Sequence, residues 1–165
     1  MIDRDGESGS NRAAWRGDVM TERGRAAARQ IQDEHRHLRQ VLASAGQVFE
    51  ARSAGRDEVV RLIESLRREL IEHFESEETG GYFSEAIAAA PRLSERAARL
   101  LQEHRELADE LDRFLSLAQE GTPDDAWWDR LAARFHQLAE RLHAHELAET
   151  ALLQDAYLDD LGATD

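Results

Sequence analysis

Four histidines and two glutamates occupy positions where a helix should be apolar. In the stretch "LIEHFESEE" the apolar positions Leu66 and Leu70 are followed, at the same spacing, by His73 and then Glu77. The same order closes the last long helical stretch, where Leu138 and Leu142 lead to His145 and Glu149. Residues i and i+4 stack on one helix face, so each His–Glu pair aims at a single point. His35 interrupts a stripe of Ile31, Leu38, Leu42, Ala45 and Phe49, and His104 interrupts one of Leu100, Leu107, Leu111, Phe114 and Ala118. An unpaired carboxylate in a core costs several kcal/mol, and a buried imidazole needs partners for both nitrogens. Convergence of the six calls for a compensating cation. Imidazole and carboxylate without sulfur suit iron, manganese or zinc. Six donors are too many for one open site and fit two metals, each taking two histidines, with the glutamates able to bridge.

The elements that must bring these residues together are helices. Apolar residues recur at alternating spacings of three and four, and strand-like alternation is absent. Breaks fall at "SAGRD", at "TGGY", at Pro91 and at "EGTPDD", where Thr122 or Asp124 around Pro123 signals a new start. The pattern predicts helices over roughly 21–53, 57–79, 92–119 and 124–158, with a shorter helical piece near 83–89. The expected fold is all-α: an antiparallel up-down four-helix bundle over residues 19–160, preceded by a flexible tail, 1–18, of Gly, Ser and charged residues.

The chain repeats itself. "EHRHLRQVL" begins at Glu34 and "EHRELADEL" at Glu103. Val59, Ile63, Leu66, Leu70, His73 and Glu77 have the spacing of Leu131, Phe135, Leu138, Leu142, His145 and Glu149. Two copies of one helical hairpin, related by an approximate two-fold axis, account for both.

The remaining histidines stand apart. His37 and His143 each lie two residues from a stripe histidine and turn away from it, and His136 sits beside the stripe residue Phe135. All three read as surface or boundary residues. Glu146 and Glu78, beside His145 and Glu77, are possible outer partners or alternative ligands. Trp127 and Trp128 read as packing at a bundle end, and Tyr82 is within reach of the bundle mouth.

The bulk properties narrow the partners. The 165 residues carry a net charge of −13, which argues against nucleic acid or an anionic membrane surface as partner. The chain has no cysteine, so disulfides and thiolate metal sites are excluded. No apolar targeting or membrane-spanning stretch is seen, and a cytoplasmic location is the default expectation.

These residues resemble the hemerythrin-like domains with an H…HxxxE…H…HxxxE ligand pattern. The stretches that carry the likeness are "EHRHL", "HFESEETGGY", "EHREL" and "HAHELAE", spanning Glu34 to Glu149. The resemblance implies a four-helix bundle holding two iron ions, bridged by carboxylates and an oxo or hydroxo group. It implies His35, His73, Glu77, His104, His145 and Glu149 as metal ligands. The oxygen-carrying members supply a further histidine four residues after the third-helix ligand, where this chain has Ala108, and an aspartate five after the last histidine, where it has Thr150. A more symmetric, more oxygen-rich site should stabilise ferric iron. Reaction with, or sensing of, dioxygen, peroxide or nitric oxide is therefore expected rather than reversible oxygen carriage. Catalytic residues beyond the ligands are not assignable. A non-catalytic module that senses or buffers iron or oxygen is the alternative. A ferritin-like site fits less well: the histidines of its Glu-x-x-His stretches, Glu34 to His37 and Glu140 to His143, are off the stripe. A metal-free structural bundle leaves six polar core positions unexplained.

Overall fold

The computed structural model describes residues 14–158. Helix α1 runs Ala14–Ala51, α2 Arg56–Thr79, α3 Tyr82–Ala89, α4 Ser94–Gln119 and α5 Asp125–Leu158, with a 3₁₀ turn at Pro91–Leu93 between α3 and α4. No strand occurs among the described residues. The four long helices form the expected bundle, in which α1 packs on α2 and α5, and α4 packs on α2 and α5. Helix α1 starts earlier than expected. It takes up residues 14–18 of the anticipated tail, and the rest of that tail lies outside the described residues. No described helix is long and apolar enough to cross a membrane.

The ends fall where local chemistry places them. Acidic Asp57 and Glu58 sit in the first turn of α2, where they complement the helix dipole. That helix stops at a double glycine: the Gly80 N–H donates to the Ser76 carbonyl at 2.8 Å, and Gly81 takes a left-handed φ of 79°. A Cβ on Gly80 would lie 2.6 Å from the Ser76 carbonyl oxygen, too close for any side chain. Of the two start signals near Pro123, Asp124 is the one used. Its side chain accepts the Trp127 N–H at 2.8 Å and caps α5. The Trp127 indole then donates to the Glu120 carbonyl at 3.1 Å, which ties α5 to the end of α4. Trp127 and Trp128 are both buried at this end of the bundle, as the sequence suggested.

The core is in two parts. The larger cluster fills the long body of the bundle, with Phe49, Ile63, Leu66, Leu70, Leu111, Phe114, Leu131, Leu138 and Leu142 among its members. The smaller lies at the other end, where Tyr82, Phe83 and Ala86 of α3 pack against Ile31, Leu93, Leu100, Leu152 and Leu153. On α1, α4 and α5 the stripe passes from one cluster to the other across a polar level, and on α2 it ends there. On α1 this is His35, between Ile31 and Leu38; on α4 it is His104, between Leu100 and Leu107. The six polar residues form the floor between two apolar compartments, with α3 closing the smaller one.

Candidate metal centre

At the polar level the structure brings all six residues together. Glu149 is fully buried, and Glu77, His35, His104 and His145 are each 2% exposed. His73 is the least covered, with its side chain 9% accessible. Two groups of four donors result, and within each the donor atoms lie within 4.8 Å of one another. The first is His35, His73, Glu77 and Glu149; the second is His104, His145, Glu77 and Glu149.

The carboxylates span both groups. Glu77 Oε1 lies 3.5 Å from His35 Nε2 and 3.2 Å from His73 Nε2, while its Oε2 lies 3.4 Å from His104 Nε2. Glu149 mirrors this: Oε2 is 3.2 Å from His35 Nε2, and Oε1 is 3.3 Å from His104 Nε2 and 3.0 Å from His145 Nε2. All four imidazoles therefore turn Nε2 inward. A metal bound at about 2.0–2.2 Å holds its donors about 3–4.4 Å apart, and the His–Glu distances of 3.0–3.5 Å fall in that range.

The inner atoms also fit a cation by default of anything else. His35, His73 and His145 Nε2, both oxygens of Glu77 and Oε2 of Glu149 are buried and face one another at 3.0–3.5 Å, but none has a well-aligned hydrogen-bond partner. Buried polar groups are otherwise almost always paired. A cation in each group would satisfy all of these atoms, and neutral nitrogen with anionic oxygen is a donor set for iron, manganese or zinc.

Without a cation the cluster holds protons instead. Burial pushes the His35 imidazole down, but hydrogen bonds to Glu149 and Glu77 and the field of Glu146 outweigh it and lift the pKa to about 9. His104 follows the same pattern, with burial opposed by Glu149, Glu77 and Glu78, and rises to about 10. His145 is raised too: burial is overcome by Glu149 and Glu103. Burial acts against the Glu149 carboxylate, yet hydrogen bonds from His104, His145 and His35 hold it far below the usual range. Metal and protons compete for one set of lone pairs.

Outer carboxylates orient three of the rings. Glu34 lies 3.3 Å from His73 Nδ1, Glu103 lies 2.8 Å from His145 Nδ1, and Glu78 lies 3.0 Å from His104 Nδ1. Such partners fix ring orientation and raise ligand basicity. Glu78 was anticipated as an outer partner. Glu34 and Glu103 were not singled out, although the signal was in the repeat: in both "EHR" stretches a glutamate precedes the stripe histidine and faces the next helix of its hairpin.

The three off-stripe histidines stay outside. His136 and His37 have side chains 81% and 71% accessible, and His143 is exposed. Tyr82 is buried at the start of α3 and lines a small cavity of about 40 Å³ together with Gln30, Ile31, Glu34, Ser76, Gly80 and Glu77. That cavity meets the centre at Glu77, beneath the glycine turn.

A four-helix bundle whose core carries two His₂ groups joined by shared carboxylates defines a class of cation-binding proteins. The chain belongs to the hemerythrin family: residues 26–157 match the hemerythrin HHE cation binding domain. No curated protein and no solved structure matches it.

Proposed function

We propose that the protein is a non-haem diiron protein that reacts with or senses dioxygen, peroxide or nitric oxide. The observation that carries this reading is that Glu77 and Glu149 each face both histidine pairs, as carboxylates shared by two metals must. His35 and His73 would hold one iron, and His104 and His145 the other. Two irons held there would supply redox and Lewis-acid chemistry. The chain's own contribution is to fix the donors on four rigid helices, to orient the rings through Glu34, Glu78 and Glu103, and to exclude water with the apolar clusters above and below. The small cavity that Glu77 and Glu34 line has room for a diatomic ligand beside the centre.

Metal content of protein purified from iron-replete cells, read with its visible spectrum, tests the proposal. About two irons per chain, with charge-transfer bands lost in a His73→Ala, His145→Ala double variant, are expected. A folded, colourless protein without metal from such cells would overturn it.

A further inference from the structure

The repeat makes the two candidate metal positions comparable residue by residue, and their surroundings differ. On the His104 side, Phe74 follows His73 on α2 and stacks on the His104 ring, with centroids 4.3 Å apart and planes inclined by 10°. The residue one turn after His104 is Ala108. On the His35 side the corresponding residues are Glu146, which follows His145 on α5, and Arg39, one turn after His35. An aromatic ring and a methyl group are replaced by an ion pair. Arg39 Nη1 donates to Glu146 Oε2 at 2.9 Å, and the Glu146 side chain is only 3% accessible.

Glu146 Oε1 has no hydrogen-bond partner. Two cations would satisfy the six orphaned inner atoms of His35, His73, His145 and the two shared glutamates, and would leave this buried oxygen, whose field acts on His35, without a partner. The outer partners also differ. His104 Nδ1 meets Glu78, but the residue matching Glu78 on α5 is Thr150, whose hydroxyl is engaged with the Glu146 carbonyl at 2.9 Å. The His35 side lacks one outer carboxylate and carries a different, buried one.

We propose that Glu146 supplies a third carboxylate to the metal position made by His35 and His73, so that the two metals of the pair are chemically unequal. Arg39 anchors one oxygen and leaves the other free for that metal. The inference rests on the metal-binding reading above and adds a ligand that the H…HxxxE pattern does not contain.

Mössbauer spectroscopy of the full chain, loaded with isotopically enriched ferrous iron and oxidised in air, tests it alongside measured iron content. The wild type should show two irons and two doublets of equal area. Glu146→Gln should retain the iron but displace one doublet and leave the other in place, with roughly tenfold faster release of one iron to a chelator. Arg39→Ala, which leaves the carboxylate intact and unanchored, should displace the same doublet and serves if Glu146→Gln fails to fold. Two irons with spectra unchanged in the variants, or a single wild-type doublet, overturn the inference and leave the diiron reading standing. A chain that takes up no iron overturns both.

Discussion

Replacing Glu149 with glutamine removes a fully buried carboxylate that meets three imidazoles, and the effect should depend on pH in a defined direction. In the metal-free protein Glu149 holds His35, His104 and His145 in their charged forms. His35 rises from 6.5 to about 9 and His104 from 6.5 to about 10, and in each case the Glu149 hydrogen bond is the leading force opposing burial. A tenfold change in proton affinity is about 1.4 kcal/mol, so the two rises together represent several kcal/mol, shared with Glu77 and Glu78. Losing Glu149 should therefore cost on the order of 3–5 kcal/mol at pH 6, the range found when one partner of a buried pair is removed. A group whose pKa is raised by folding contributes its stability below its unfolded pKa and loses it as pH climbs to the folded value. The cost should shrink between pH 6.5 and about 9 to 10, and vanish or reverse above, where a buried carboxylate faces neutral rings. Urea unfolding of the chelator-treated wild type and Glu149→Gln at a series of pH values gives the difference directly. A penalty of equal size at pH 6 and pH 10 would refute the electrostatic account and make Glu149 a packing residue.

The same protonation governs metal uptake. Metal should bind with proton release and more tightly as pH rises toward 9, measurable by titration calorimetry in buffers of different ionisation enthalpy. Glu103→Ala should weaken metal binding roughly 10–100-fold by freeing the His145 ring, whereas His136→Ala should leave affinity unchanged; competition with a chromogenic chelator separates the two. Leu111→Ala, in the larger cluster, should destabilise the chain by about 2–5 kcal/mol in denaturant unfolding while the metal content stays at its wild-type value.

Most of the bundle was legible because its signals are local. The three-four stripe, the double glycine after Thr79 and Asp124 beside Pro123 each act within one or two turns, and both ends of α2 and the start of α5 fall within a residue of expectation. The six inner residues were legible for a related reason: a polar residue in an apolar stripe is visible on one helix alone. Their meeting in space followed from the repeat. What was hidden depends on how faces of different helices meet. Glu34 and Glu103 look like ordinary surface charges until a neighbouring helix brings His73 or His145 against them. The Arg39–Glu146 pair joins residues 107 positions apart, and no spacing rule in either helix announces it. The early start of α1 was missed because Gly, Arg and Asp residues around 14–20 carry no stripe to read.

The duplicated hairpin has a consequence for assembly. The α1–α2 hairpin contributes His35, His73 and Glu77, and the α4–α5 hairpin contributes His104, His145 and Glu149. Each hairpin thus owns both imidazoles of one position but must borrow a carboxylate from the other to finish it. Neither half is self-sufficient, and neither can be completed without the other being completed too. Two ions bound there would work as a mutual latch, and its closure would report that the two hairpins have docked in the correct register.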